Sequence, residues 1–267
     1  MAQRIADNAW EIEGRTITLP VRIRDSTVAA AVYCCCAAAA RTAVTDERVK
    51  PLTLAGRGIA VLFFARYHDS DLGSYDEVGV AIAVRGPGRG PIGTYIVELP
   101  VTQTFTLEAG RAIWGLPKWL ARSTLTSRRS GPKVHLCDGD EFVLTAAFDT
   151  GRLRIPVPVT APVALWAVQP DGPDGGELLH GAFRLRLADL RVRPGGTRLV
   201  LGEHRMSQTA RALGMSQRPL CTLVARVTAE LGPFTPVRSG CGTPEGRRGT
   251  MVAWRNVTPS AGSTAST

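Results

Sequence analysis

Lysine is nearly missing from this sequence: Lys50, Lys118 and Lys133 stand against 29 arginines. GC-rich coding, which favours Arg and Ala codons, accounts for the imbalance, but its consequence is chemical. Arginine stays protonated at any working pH, whereas lysine can shed its proton and act as a nucleophile. Amine chemistry is therefore confined to three positions. Cysteine patterning is equally restrictive. Cys34, Cys35, Cys36, Cys137, Cys221 and Cys241 include no Cys-x-x-Cys pair, which argues against a thiolate zinc site. Three in a row make no sensible disulfide framework, so reduced thiols and a cytoplasmic chain are expected. His68, His135, His180 and His204 show no metal-ligand spacing, and neither a metal nor another cofactor is expected.

Long apolar runs are missing too. Val28–Ala40 covers 13 residues, short of the ~20 that a spanning helix needs. The long mixed-charge stretch before it does not resemble a signal peptide. No Gly-x-Ser-x-Gly elbow occurs. Gly86-Pro-Gly-Arg-Gly90 lacks the Lys-Ser/Thr and helix of a phosphate loop and reads as a hairpin turn. The formal net charge of +9 has the sign that suits nucleic acid or an anionic membrane. Yet the arginines are scattered, and the densest pairs, Arg128-Arg129 and Arg247-Arg248, have no aromatic residues between them. A solvated basic surface, with neither a nucleic-acid nor a membrane partner, is the expectation.

What is present is material for a core, with 44% hydrophobic residues. Ile17–Ile23 alternates as a strand does, and Val28–Tyr33, Ile59–Tyr67, Tyr75–Arg85 and Thr94–Leu99 have strand composition. His68–Ser74 reads as a loop. Further strands are expected near 133–137, 141–148, 152–168 and 198–202. Phe183–Arg193 alternates Arg with apolar residues, and a slip at Ala188-Asp189 predicts a bulge. The Ala-rich stretch 35–44 suits a helix. Leu107–Trp114 is a second, with Thr106 as N-cap, Glu108 in its first turn and Gly115 as its stop. Cys221–Leu231 fits strand or helix. Residues 1–15 read as a polar lead, and 237–267 as a poorly packed extension rich in Gly, Ser, Thr, Pro and Arg. Many strands and few helices predict a mainly β (α+β) domain over 1–236. Its sheet is expected to be largely antiparallel and curved or closed like a barrel, with a few peripheral helices.

One lysine sits where an amine is useful. Lys118 lies in Gly110-Arg-Ala-Ile-Trp-Gly-Leu-Pro-Lys-Trp-Leu120, after a helix stop and a proline, with Trp114, Leu116, Trp119 and Leu120 around it. An ammonium in such company is poorly hydrated, and desolvation favours the neutral, nucleophilic amine. If Pro117 opens a new helical turn, that turn's positive end pushes the same way. If Lys118 closes the preceding helix, the dipole opposes the change. The plainer reading is a snorkelling lysine, its stem buried and its amine in water. Local sequence leaves these readings open.

The segment also resembles the signature of the acetoacetate decarboxylase family, in which Gly-Arg-Glu is followed after a few residues by aromatic-Pro-Lys-Lys-Leu. The first lysine of that pair is the family's Schiff-base residue, and Lys118 takes its position. Upstream, His68-Asp-Ser-Asp-Leu-Gly-Ser-Tyr-Asp-Glu77 is similar to the family's His-Asp loop ending in Gly-x-Tyr-x-Glu, whose Glu lies in the active site. Glu77 matches that Glu. Downstream, Gly176-Glu-Leu-Leu and Gly196–His204 are similar to the family's late strands. The resemblance runs from about residue 17 to 236 and leaves the tail without a counterpart. It implies a small-molecule substrate and a homo-oligomer. Three positions depart from the pattern. The family's second lysine is Trp119 here. A Glu five residues before the His is Phe63. The Arg that contacts the substrate carboxylate aligns with Thr27, with Arg22 and Arg24 close by. The resemblance thus implies Lys118 and Glu77 as catalytic residues, and Arg24, Phe63, Tyr75, Trp114 and Trp119 as substrate-binding ones.

The implied function is a Schiff-base-forming lyase acting on a keto acid or related carbonyl compound. A β-keto acid loses carbon dioxide once its ketone becomes a protonated imine, which accepts the electron pair left behind. The same imine supports aldol addition, retro-aldol cleavage and dehydration. The alternative is a protein that binds or cyclises an apolar, natural-product-like ligand in the same pocket without an imine, as Phe63, Trp114 and Trp119 suggest. A Lys118 amine inside a cavity beside Glu77 argues for the first, and an amine in solvent for the second.

Overall fold

The computed structural model describes residues 2–151, 153–169 and 176–237. The chain begins with β1 (Ala2–Ala6), β2 (Ala9–Ile12) and β3 (Arg15–Thr18), an antiparallel three-stranded meander where a polar lead is expected. Ile12 and Ile17 are buried from this meander while most of their neighbours face water. A period-2 pattern carried by so few apolar residues is too short to read from sequence.

There follow β4 (Val21–Cys35), α1 (Ala37–Ala43), β5 (Lys50–Pro51), β6 (Thr53–Leu54), β7 (Arg57–Ser70), β8 (Tyr75–Arg85) and β9 (Ile92–Val101). Next come α2 (Thr104–Trp114), β10 (Lys118–Leu120), β11 (Arg122–Thr126), β12 (Lys133–Asp138), β13 (Glu141–Phe148) and β14 (Val159–Gln169). The described chain ends with β15 (Glu177–Pro194), β16 (Thr197–Leu201), α3 (Arg205–Ala212), β17 (Cys221–Leu231) and β18 (Thr235–Pro236). The expected strand Ile17–Ile23 is divided at Leu19-Pro20: Ile17 and Thr18 close β3, and Val21–Ile23 open β4, which runs on through the expected strand Val28–Tyr33. Cys35 still pairs with Gly58, so α1 starts two residues later than composition suggests. Cys221–Leu231 is a strand, paired with both β15 and β4. The bulge in β15 falls between Ala188 and Arg191, with Asp189 at φ 50°. The extension expected from 237 onward lies, apart from Val237, outside the described residues. Among the described residues no helix is long and apolar enough to cross a membrane.

Seven strands close on themselves in the order β9-β14-β15-β17-β4-β7-β8, with β8 pairing back to β9. Every pair in this barrel is antiparallel except β14 with β9. Parallel to β9 runs β10, at its outer end. A second antiparallel sheet, β11-β12-β13-β16, covers one side of the barrel together with α3. This explains why β8 is buried almost throughout: it has protein on both faces, so its sequence reads as a continuous apolar run.

Strand parity divides the core in two. On β7, Ala60, Leu62 and Phe64 pack outward against Leu136, Leu144, Phe148 and Met206. Val61, Phe63, Ala65 and Tyr67 face the barrel interior. This division is testable. Phe64 is 0% exposed, so Phe64→Ala should lower stability by about 3–5 kcal/mol. Phe63→Ala, which only enlarges an existing cavity, should lower it by less. Denaturant midpoints at an unchanged m-value measure both.

Candidate active site

A helix stop builds the Lys118 segment. Gly115 ends α2 at φ 63°, a left-handed conformation that glycine adopts without strain. Its N–H donates to the Arg111 carbonyl (3.1 Å), and the Leu116 N–H donates to the Gly110 carbonyl (3.1 Å). These paired bonds turn a chain out of a helix, and Pro117 prevents its resumption. The chain then leaves as β10, with Lys118 opposite Leu99 of β9. Lys118 is therefore the first residue of a strand, neither in a new helical turn nor at a helix end, and neither dipole argument applies. At its other end α2 starts earlier than expected, with Gln103 in the N-cap position and Thr106 inside the first turn.

Two residues of α2 hold Lys118 in place. The Arg111 Nε donates to the Lys118 carbonyl at 2.8 Å. Gly110 leaves room for the lysine stem: a Cβ at this position would lie 2.3 Å from Lys118 Cδ and 2.4 Å from Cε. The Gly-Arg pair thus has a mechanical relation to the lysine seven and eight residues later.

The amine points into the barrel. Its Nζ donates to Glu77 Oε1 at 2.5 Å, and Lys118 and Glu77 are only 3% and 6% exposed. The other Glu77 oxygen accepts from the Tyr67 hydroxyl at 2.9 Å. Tyr67 and Tyr75 are cross-strand partners whose rings stack with centroids 4.5 Å apart. The Lys118 amine lies 5.4 Å from the Tyr75 ring centroid. Around this cluster is a cavity of about 240 Å³, walled mainly by aliphatic and aromatic side chains. Among the described lining residues Lys118 is the one cation and Glu77 the one anion. Trp114 supplies a wall, its indole N–H spent on the Gly232 carbonyl at 2.9 Å.

Burial first, and the Glu77 charge second, hold the Tyr67 and Tyr75 phenols well above the usual tyrosine range. Both stay protonated, which keeps Tyr67 a donor to Glu77. Burial also pushes Tyr33 up to about 12. Unfolded tyrosines titrate near 10. Because the folded values are raised, the associated stability is fully present below about pH 10 and is lost as pH rises through the folded values. The unfolding free energy should therefore decline from about pH 10 upward. Tyr67→Phe should flatten that decline and leave the Tyr33 contribution, as denaturant midpoints measured against pH will register.

Phe63, Tyr75 and Trp114 line the cavity with Lys118 and Glu77. Trp119 and Arg24 are not among its walls: Trp119 lines a neighbouring pocket together with Lys118, Arg111 and Arg205, and Arg24 lies on the outer face of β4. Trp119 follows Lys118 in a strand, so it faces the opposite side. There its Nε1 donates to Glu98 at 2.9 Å and its ring packs against Arg205 and His204. Arg24 alternates outward with Arg22, while Val21 and Ile23 face in. Its guanidinium is held by Asp69 (2.9 Å) and Asp71 (2.6 Å). Two register shifts around Asp25 then exchange the faces of β4. Ser26 and Val28 point inward, and Thr27 points outward to His68 at 3.0 Å. All three candidate positions for a carboxylate clamp thus lie outside the cavity. Tyr67, absent from the sequence-derived set, belongs to the site. Its signal was its shared parity with Phe63 on an evident strand. Among the described residues no group of three or more His, Cys, Asp or Glu is arranged to hold a metal ion.

A family model described as acetoacetate decarboxylase matches residues 13–238. Solved structures share the fold at low identity. An acetoacetate decarboxylase from Legionella pneumophila is 18% identical, with a TM-score of 0.64 over 90% of this chain and 93% of its own. The enduracididine biosynthesis enzyme MppR, complexed with pyruvate, is 16% identical, with a TM-score of 0.68 over 84% of this chain and 93% of its own. An acetoacetate decarboxylase-like enzyme from Sphingomonas wittichii is 15% identical, with a TM-score of 0.57 over 84% of this chain and 96% of its own. No curated protein matches the sequence.

Proposed function

The chain belongs to the acetoacetate decarboxylase family, and from that premise we propose that it is a Schiff-base-forming lyase acting on a keto acid or related carbonyl compound. Lys118 is the nucleophile and Glu77 the group that moves protons. One observation carries the reading: the Lys118 amine lies 2.5 Å from the Glu77 carboxylate, both buried, in a largely apolar cavity. The pyruvate complex of MppR, a neighbour in fold, is consistent with such a substrate.

The chemistry follows from the pair. Passing one proton from ammonium to carboxylate leaves a neutral amine beside a neutral acid. The amine adds to the carbonyl carbon and forms a C–N bond, while the acid protonates the carbonyl oxygen. A second proton, from the nitrogen, lets that oxygen leave as water and yields the protonated imine. The imine accepts an electron pair from a bond at the α-carbon, Glu77 carries the proton that the step releases or requires, and water finally frees Lys118. Tyr67, donating to the far oxygen of Glu77, keeps the near oxygen on the amine.

Borohydride reduction in the presence of pyruvate, acetoacetate and simple ketones tests the proposal. The expected result is a reduced adduct on Lys118, located by mass. No adduct with any of these carbonyl compounds overturns it.

A further inference from the structure

We infer that the carbonyl compound taken by this site is uncharged and apolar, so that its imine is used to form an enamine for carbon–carbon bond chemistry rather than to release carbon dioxide. This rests on the Schiff-base reading of Lys118 and narrows it. The charge balance of the cavity carries the inference. Among the described lining residues there is one cation and one anion, and they are bonded to each other. A substrate carboxylate in this cavity would enter as a second anion beside Glu77, with no second cation among its described walls; Arg111 and Arg205 line the neighbouring pocket on the other side of Lys118, where Arg205 is paired with Glu98. Against largely apolar walls an unpaired carboxylate is disfavoured.

Hydrogen bonding points the same way. The Ser26 hydroxyl donates to the Val227 carbonyl at 2.8 Å, and Ser70 to the Gly73 carbonyl at 2.7 Å. Tyr67 is committed to Glu77. These donors are occupied before a ligand arrives. Most of the remaining wall is hydrocarbon, with Val163, Leu165, Phe183, Leu185, Val227 and Leu231, and Thr94 beside Leu165 contributes a hydroxyl without charge. Phe63 reinforces it. Its ring lies over Gly79, where a Cβ would come within 2.1 Å of it, so β8 makes room for the ring by lacking a side chain there. At ~30 Å³ for each water displaced, the cavity suits a chain or ring of about eight non-hydrogen atoms.

With such a ketone every step closes on the groups present. Lys118 and the ketone give the protonated imine and water. The α C–H bond breaks, its proton goes to the Glu77 carboxylate, and its electron pair moves into the new C=C bond as the C=N pair returns to nitrogen. The resulting enamine either attacks a second carbonyl carbon or takes the proton back.

The test uses the whole protein with pentyl methyl ketone, octanal and the β-keto acid that carries the same pentyl chain. Borohydride labelling of Lys118 is expected to saturate at concentrations at least about tenfold lower for the two neutral compounds than for the acid. In heavy water the ketone's α-positions should take up deuterium, and Lys118→Arg should stop this. Equal or stronger labelling by the keto acid, or carbon dioxide release above the buffer rate, overturns the neutral-substrate inference and leaves the Schiff base standing. No labelling of Lys118 by any of the three compounds overturns the Schiff-base reading itself.

Discussion

Lys118→Arg should leave no borohydride adduct and lower turnover by on the order of 10⁴-fold or more. The guanidinium remains protonated at every working pH and has no nitrogen lone pair to offer. It also keeps a positive charge opposite Glu77, so the variant isolates the loss of a nucleophile from the loss of an ion pair. That separation matters because the pair is buried. Lys118→Met would strand the Glu77 carboxylate and cost about 3–5 kcal/mol of stability. Adding Glu77→Gln to it removes the uncompensated charge and should recover much of the loss while activity stays absent. Turnover and stability, measured on the same three variants, must therefore move independently. An arginine variant that works like wild type would instead establish the reading in which the pocket binds or cyclises its ligand without an imine.

How far the sequence reveals this site depends on which physical signal each residue leaves. Phe63, Tyr75 and Glu77 sit on long strands whose composition is plain, so their neighbourhood is legible once the strands are paired. The same signal extends to Tyr67, two residues beyond Ala65, which faces Glu77 across the β7–β8 ladder. Lys118 is different. Its residue type and motif single it out, but its surroundings depend on whether the chain after Pro117 is helix or strand. A three-residue strand leaves no periodicity to read. That uncertainty carries over to Trp119, which shares the motif yet faces Glu98. Arg24 fails for another reason. Strand alternation places it outside, and the two register shifts around Asp25 that send Thr27 outward as well are set by pairing with β7, not by local sequence. The closure of the barrel has the same character. One parallel contact, between β14 and β9, completes the ring through residues far apart in the chain. The helix α3 was missed because its eight residues are mostly polar, with Met206, Ser207 and Ala210 buried.

Gly110→Ala should separate stability from activity more sharply than any change at the reacting groups. In a helix interior alanine is favoured over glycine by about 1 kcal/mol, so on backbone grounds the variant should be at least as stable as wild type. Its new methyl group, however, would fall 2.3 Å from Lys118 Cδ and 2.4 Å from Cε. The lysine stem is flexible, and the neighbouring cavity gives it somewhere to go, so relief comes from moving the stem rather than the helix. The movement draws the amine away from Glu77, and a displacement of about 1 Å at a reacting group can cost on the order of 10²-fold in rate. The expected result is an unchanged or slightly higher melting temperature with slower imine formation. The loss should appear in kcat more than in KM, because the apolar walls that hold the substrate are untouched. A positioning role predicts that combination, whereas a purely structural glycine would lose stability and activity together. If adduct formation at Lys118 keeps its wild-type rate in the alanine variant, the glycine is not what holds the amine in register.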